Sequence, residues 1–447
     1  MSPRFFNPFI SESTRFVLDR LKEAGYESYV VGGAVRDVLL GQQPKDFDIA
    51  TSAKIDEIRR VFEGEKLICP TGEKHGTITV RLNKENVEIT TFRAGEGEEV
   101  SLISDLSRRD ITINSIAFGE GGLIDIMGSK EDLDNKIIRF NSPMDRTIED
   151  DPLRMLRALR FHVTLGFTID EESKSAIVRN AYKISRVAEE RVNKELLTIM
   201  LASDIEALLF DYKELFFPIF PVLREIDGYD QNSPWHKHDL YTHTVHVVSK
   251  TKPDILLRFA ALFHDVGKLY SRTEGIKDGV VISHYYGHPF VSEKIAKELF
   301  IKRKLLIGEL PKILFLIREH DRKVMPTRKS VSKFLYELNK VFKENPLENL
   351  ELFLSLQEAD HIDHALPIES HPEECLKIAR EILDEGLPIE ERGLSISGDE
   401  IRAIGFKKEG IGEVKKRALL AVMEGRIKNE NEPLRNYISA LYKSGLR

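Results

Sequence analysis

The apolar positions of this chain change rhythm along its length. Between about residues 25 and 145 short strand-like runs recur, SYVVGG, DFDIAT, GTITVRL, NVEITTF and GLIDIM, set among turn residues and a few helical stretches. This segment reads as an α+β head. From Asp150 to about Asp227 the apolar spacing becomes helical, as in LRMLRALRF and RVNKELLTIMLA, and the strand signals vanish. A polar, turn-rich stretch, DGYDQNSPWHKHD, introduces a third region, again helical, that runs to about His371. The remainder, with LSISGDEIRAIGF and VKKRALLAVMEG, predicts a small helical tail. The expected organisation is a head over 1–148, a neck over 149–227, a body over 228–371 and a tail over 372–447. We find no internal repeat or low-complexity segment.

Composition narrows this picture. A chain of 447 residues with 41% hydrophobic positions has room for several globular cores. No apolar run reaches membrane-spanning length, and MSPRFFNPFISESTRF lacks the features of a signal peptide, so a cytoplasmic location and no membrane partner are expected. Cys69 and Cys375 are too few for a disulfide framework or a thiolate zinc site, and both are expected to be reduced and structural. A net charge of −7 argues against a protein that coats nucleic acid over its whole surface. Locally the balance reverses: from Lys407 to Arg447 ten Lys or Arg stand against five Glu. That surplus suits either a grip on a phosphate backbone or a solvated helical face.

The candidate chemistry begins at Tyr29-Val30-Val31, a short buried strand that ends at Gly32-Gly33, where bare backbone N–H groups can approach a phosphate. Arg36 follows closely enough to neutralise phosphate charge. In an extended KDFDIA, Asp46 and Asp48 point to one face and Phe47 to the other. Two carboxylates so placed suit Mg²⁺. A phosphate turn and a carboxylate pair are the parts needed for nucleotidyl transfer by a two-metal route, with Asp46 and Asp48 as catalytic metal ligands. Taken singly, the acidic pair also reads as a solvated strand end and the glycines as an ordinary turn.

In this order and spacing, GGAVRDVLLGQQPKDFDIATSA resembles the signature of the DNA polymerase beta-like nucleotidyltransferases, in the branch that holds class II CCA-adding enzymes and bacterial poly(A) polymerases. The resemblance implies an α+β nucleotidyltransferase head followed by an all-helical neck, an HD body and a tail. Glu88 in NVEITTFR is a candidate third acidic ligand or an exposed strand residue, with Arg93 following on the same strand. SRRDITINSIAF resembles the family's next motif, which implies nucleotide sugar or phosphate contacts for Arg109 and Asp110 and a supporting role for Asn114. Read by itself it is a helix start capped by Asp110.

In DDPLRMLRALRF, Asp151 and Arg154 would share one face if both lay on the first turn of a helix. A carboxylate accepts hydrogen bonds and a guanidinium donates them, so the pair could read cytosine or adenine and reject uracil and guanine without a template. Asp151 before Pro152 is equally a helix cap. The resemblance favours base reading, with Asp150 where many relatives carry Glu, and Arg157 and Arg160 extending the face toward phosphate. In EERVNKELLTIM, Arg191 and Glu195 either brace that helix or form an exposed ion pair with each other.

Further on, YTHTVHVV, ALFHDVGK and LQEADHID resemble the HD superfamily of metal-dependent phosphohydrolases. The resemblance implies that His243, His264, Asp265 and Asp360 hold a divalent metal of unspecified identity, with His288 and His320 as candidate ligands of a second ion. His236, His238 and His246 read as ordinary surface or core histidines. The expected activity is a template-independent tRNA nucleotidyltransferase using CTP and ATP, with tRNA as partner. The stretch AGEGEEVSLISDLS between Arg93 and Arg108 is short for a CCA-adding relative and resembles enzymes that add only the two cytidines. A third expectation makes phosphohydrolysis at the HD site the main activity and the head an RNA-binding module.

Overall fold

The structure, a computed structural model, describes residues 9–68, 76–82, 85–95, 97–233, 237–277, 279–361 and 370–445; Cys69 and His236 lie outside them. The chain packs as two compact units, one reaching to Ile199 and including Tyr212–Ile219, the other formed by Met200–Asp211 and the chain from Phe220 onward. The segment read as a neck is therefore divided between them.

In the first unit, seven strands form one sheet in the order β3-β4-β5-β2-β1-β6-β7. They are β1 (Ser28–Val31), β2 (Asp48–Thr51), β3 (Lys66–Ile68), β4 (Thr77–Leu82), β5 (Glu85–Thr91), β6 (Ile116–Gly119) and β7 (Gly122–Asp125). Neighbours are antiparallel except β2 and β5, which run parallel. The five strand-like runs seen in the sequence all contain strands. β3 and β6 were not among those runs.

Period-two alternation divides this sheet. Val30 and Ile49 pair in register on one face, which helices α1 (Glu12–Glu23), α2 (Gly33–Leu39) and α3 (Ile55–Val61) cover with Val17, Leu21, Val35, Val38 and Ile58. Val31 and Ala50 lie on the other, under Leu102 and Leu106 of α4 (Leu102–Ser107). At seven residues α2 is too short to persist alone. It is held by Ala34, Val35 and Val38, all buried, each of the larger two giving roughly 1.5–3 kcal/mol. Phe47 joins the same cluster, on the face expected of it.

After α5 (Ser129–Asp134) come α6 (Met144–Asp150), α7 (Leu153–Leu165), α8 (Glu171–Asn180) and α9 (Glu189–Ile199). Strand pairing does not vanish here as the sequence suggested: β8 (Ile137–Ile138) and β9 (Thr168–Ile169) form a two-residue parallel ladder. The second unit is mainly helical, with Phe259, Phe263 and Phe300 packed edge to face at 5.5 Å. Its all-helical reading needs one correction, a hairpin of β10 (Thr273–Lys277) and β11 (Val280–His284). An Asp-Gly dipeptide at 278–279 was the available signal. Among the described residues no helix is long and apolar enough to cross a membrane.

Candidate active site and metal centre

Strand β1 delivers the chain to Gly32, whose φ of 73° belongs to the left-handed region that favours glycine. A Cβ there would lie 2.7 Å from Nη1 of Arg109, so the position also needs the missing side chain. The Gly32 N–H donates to the Ile116 carbonyl at 3.0 Å and is therefore occupied. Of the two glycines, Gly33, the first residue of α2, is the one whose N–H falls among the open donors of a helix start.

The carboxylates gather on the neighbouring strands. β2 begins at Asp48, so Asp46 lies just ahead of the strand rather than within it. Asp48 sits opposite Val31 of β1 and opposite Glu88 of β5, which places the phosphate turn, Asp48 and Glu88 on three consecutive strands of the sheet. Asp48 is half-buried, while Asp46 and Glu88 are exposed. Burial pushes the Asp48 carboxyl up; Arg109, Arg93 and Arg157 pull against that, and Asp46 adds to it. Glu88 is raised by burial and by the charges of Asp48 and Asp46. Asp46 thus adds to the raising of both Asp48 and Glu88, a crowding of negative charge that a cation would relieve.

Behind this edge a chain of polar contacts holds the arginines. Arg36 donates from Nη1 to Oδ1 of Asn114 at 2.8 Å, and Asn114 Nδ2 donates to Asp110 Oδ1 at 3.2 Å. The other oxygen of Asp110 accepts from Nε and Nη2 of Arg157, at 2.8 and 2.6 Å. Burial works against the Asp110 carboxylate, yet Arg157 and Asn114 hold it down to about 2. Both oxygens of Asp110 are engaged and it is only 6% exposed, so it supports Arg157 directly. It is not a helix cap, since the short 3₁₀ turn that follows, Thr112–Asn114, is entered through Ile111. Arg109 is gripped by the fully buried Asp105 at 3.2 and 3.0 Å, a residue that sequence reading passed over. Its signal was the four-residue spacing to Arg109 on one helical face.

Asp151 does not lie on the first turn of α7. The following Pro152 disfavours helical backbone at the residue before it, and Asp151 is extended at φ −154°, between α6 and α7. Its Oδ1 accepts from the Leu153 N–H at 3.2 Å, so it does cap the helix start. Arg191 also binds it, Nη2 to Oδ2 at 2.7 Å, and Glu195 binds Arg160. Arg191 thus reaches the residue that caps α7 and Glu195 reaches α7 itself, instead of pairing with each other. Arg154 donates to the carbonyls of Thr147 and Arg108, at 3.1 and 2.7 Å. Asp150 meets Arg108 at 3.3 Å.

In the second unit the HD doublet lies just beyond the helix Ile255–Phe263, which Asp254 caps. His243, His264, Asp265 and Asp360 converge with their ligand atoms within 4.8 Å of one another, and so do Asp265, His288 and His320. Asp265 belongs to both groups: Oδ2 faces His243 and His264 at 3.4 and 3.3 Å, and Oδ1 faces His288 and His320 at 3.1 and 3.6 Å. Asp360 Oδ1 completes the first group at 3.1 Å from His243. The Nδ1 atoms of His264, His288 and His320 each meet a backbone carbonyl, at 2.7, 2.8 and 2.7 Å. A carbonyl only accepts, so the proton sits on Nδ1 and each Nε2 lone pair turns into the cluster, as in a metal ligand. His264 Nε2 is buried with no hydrogen-bond partner. Burial alone would lower His264, but Asp265 and Asp360 push it up to about 10, the mark of a site short of positive charge. The donor set fits one divalent ion at each group.

Gly267 and Lys268 belong to the quoted ALFHDVGK, but sequence reading gave them no individual role. The buried Lys268 ammonium lies 2.6 Å from Asp265 Oδ2, three residues away. A Cβ on Gly267 would come within 2.3 Å of the His288 carbonyl oxygen, so glycine lets the helix His288–Arg303 close on the cluster.

The glycine turn and carboxylates lie in the first unit and the histidine–aspartate cluster in the second, and each unit matches known families. Family models agree: the poly A polymerase head domain matches residues 28–139, the "Probable RNA and SrmB-binding site of polymerase A" 166–226, and the HD domain 240–365. The chain is 42% identical over 198 residues to the CCA-adding enzyme of Lactobacillus gasseri, covering 42% of this chain and 49% of that protein. It is also 42% identical over 188 residues to the CC-adding tRNA nucleotidyltransferase of Halalkalibacterium halodurans, covering 42% of this chain and 48% of the relative. The matched stretch therefore spans about half the length of these relatives. The fold is shared with the Bacillus stearothermophilus CCA-adding enzyme in complex with CTP, at 23% identity and a TM-score of 0.68 over 99% of each chain.

Proposed function

We propose that the chain is a template-independent tRNA nucleotidyltransferase that adds C and A to the tRNA 3′ end from CTP and ATP. The observation that carries this reading is the register: the Gly32-Gly33 turn leaves β1 beside Asp48 on β2, about 4.8 Å away as adjacent strands are spaced. A triphosphate held at that turn would lie against the carboxylates. Asp46 and Asp48, with Glu88 beside them, would hold magnesium, which would supply activation of the 3′-hydroxyl and charge stabilisation of the leaving pyrophosphate. The 3′-oxygen bonds the α-phosphorus as the bond to the β-phosphate breaks. Arg36, Arg109, Arg157 and Arg160 take the charge of the polyphosphate, held in place by Asn114, Asp105, Asp110 and Glu195 respectively. Base choice falls to Asp151 and Arg154. Asp151 is fixed by Arg191 yet retains acceptor capacity, and Arg154 has five N–H donors of which two are used. The basic tail and the helices after the head would meet the tRNA, and a cytoplasmic location accompanies this reading.

Primer extension on tRNA lacking CCA tests it. CTP alone should add two cytidines, ATP alone nothing, and both together CCA; no incorporation under any condition overturns the reading. A stall after CC with ATP present favours CC addition instead. One feature supports that second reading: Glu98 in the short stretch after β5 is tied to Arg108 at 3.2 Å and Arg146 at 3.0 Å, which limits how far this segment can move. The HD cluster supports a separate metal-dependent phosphohydrolase activity, on 2′,3′-cyclic phosphates or 2′-phosphates of RNA ends.

A further inference from the structure

We propose that Phe161 is the positioning residue of the polyphosphate site, a single aromatic ring around which the arginines that meet the anion are arranged; this rests on the nucleotidyltransferase reading above. The ring is 5% exposed, near the middle of α7. Three guanidinium carbons lie over it: Arg36 at 5.3 Å, Arg157 at 5.6 Å and Arg160 at 4.2 Å. Arg157 stands one helical turn before Phe161 and Arg160 directly precedes it, whereas Arg36 arrives from α2, far away in sequence. Folding therefore brings the arginine that follows the phosphate turn and two from the neck helix to one ring.

Three like charges gathered this closely repel one another, and the structure offsets that repulsion in two ways. Each guanidinium has oxygen partners: Arg36 donates from Nε and Nη2 to Asp37 and from Nη1 to Asn114, while Arg157 has Asp110 and Arg160 has Glu195. Their inner surfaces meet the negative face of one aromatic ring, which attracts cations without consuming any N–H. An aliphatic residue of the same bulk would fill the space and leave that attraction out. A carboxylate in its place would pair with the arginines and take the donors a phosphate needs. An aromatic ring is the side chain that gathers guanidiniums and leaves their donors available. Arg157 uses Nε and Nη2 on Asp110, which leaves Nη1 with its two N–H groups for an outside acceptor. At 36% side-chain exposure, Arg157 can be reached from solvent.

The ring touches no reacting atom in this account, so its removal should act on nucleotide affinity and spare the chemical step. Three full-length variants test this: Phe161→Leu, Phe161→Tyr, and a chain with tetrafluorophenylalanine at 161, which keeps the shape and strips the negative face. The readouts are KM and kcat for CTP and for ATP in primer extension, calorimetric Kd for inorganic tripolyphosphate with magnesium, and the melting temperature. Phe161→Leu and the fluorinated ring should raise KM for both nucleotides, and Kd for tripolyphosphate, by roughly tenfold, with kcat within about twofold of wild type. Phe161→Tyr should restore wild-type values. Should Phe161→Leu fold poorly, the isosteric fluorinated chain decides alone. A folded fluorinated chain with unchanged KM and Kd overturns the proposal, as does a loss confined to kcat. If wild type incorporates no nucleotide at all, the reading of the head falls, while the tripolyphosphate comparison still decides what the ring does.

Discussion

In the HD cluster, six side chains from separate helices and turns already converge, all buried, with one aspartate shared between two ligand groups. In the head, the three carboxylates line a strand edge, two of them exposed, and no three ligand atoms of the described head residues come within the same 4.8 Å. The difference teaches how each site takes its cation. Imidazoles and carboxylates that have paid their desolvation on folding can bind a metal by themselves. A carboxylate edge offers Mg²⁺ only part of its six-oxygen shell, and water and phosphate oxygens complete it. The cation of the head should arrive with the nucleotide, and that of the HD cluster should stay when the protein is purified.

The comparison breaks most sharply at Asp48. Asp48→Ala should reduce nucleotide incorporation to background in a primer-extension assay and leave the metal content of the HD cluster unchanged. Its conservative form carries a further sign. The carboxyl of Asp48 is raised above its unfolded value, so its ionised form costs stability that is progressively lost as pH rises through the folded pKa. Asp48→Asn should therefore be inactive yet melt slightly higher than wild type at neutral pH without magnesium; a lower melting temperature contradicts this electrostatic picture.

Next in size is His264→Ala. Elemental analysis should show loss of divalent metal from the second unit, with incorporation by the head within about twofold of wild type. Retention of a full metal complement would show that the cluster is not the resident site.

Asp110→Asn has a smaller effect on folding. The carboxylate is held at about 2 against an ordinary value of 3.8, so it contributes about 2 kcal/mol at neutral pH. That stability is fully present above the unfolded value and is lost as pH falls through about 2. The variant should lose about this much in denaturant unfolding, with a raised KM for nucleotide as Arg157 loosens; an unchanged midpoint contradicts the burial of a paired charge.

The smallest effect is on pH dependence. Because Asp48 and Glu88 are both raised, the acid limb of kcat/KM should lie above the ordinary carboxylate range of about 4. More magnesium should shift it to lower pH, since cation and proton compete for the same oxygens. A limb that ignores magnesium argues against these carboxylates as ligands.

Much of this layout was legible in the sequence because it is local. The Gly-Gly turn, the acidic residues two apart and the His-Asp doublet lie within single short segments, and the alternation of SYVVGG and NVEITTF gave their strands away. What stayed hidden depends on contacts between distant segments. Asp110 read as a nucleotide contact or a cap because nothing local reveals Arg157, 47 residues away. Arg191 and Glu195 looked like an i,i+4 pair, and only packing against α7 redirects them to Asp151 and Arg160. For Asp151 the sequence offered either the first turn beside Arg154 or the cap before Pro152, and the restriction that Pro152 imposes favours the cap that is found. The β10–β11 hairpin was missed with its Asp-Gly signal in plain view, inside a region whose flanks are helical.

The central claim is that the two units carry two separate chemistries, each with its own cation. The most direct test assays wild type, Asp48→Ala and His264→Ala side by side for CMP and AMP incorporation into tRNA lacking CCA, and for hydrolysis of a 2′,3′-cyclic nucleotide. Asp48→Ala should lose only incorporation and His264→Ala only hydrolysis. Incorporation that survives Asp48→Ala, or disappears with His264→Ala while the protein remains folded, contradicts the account.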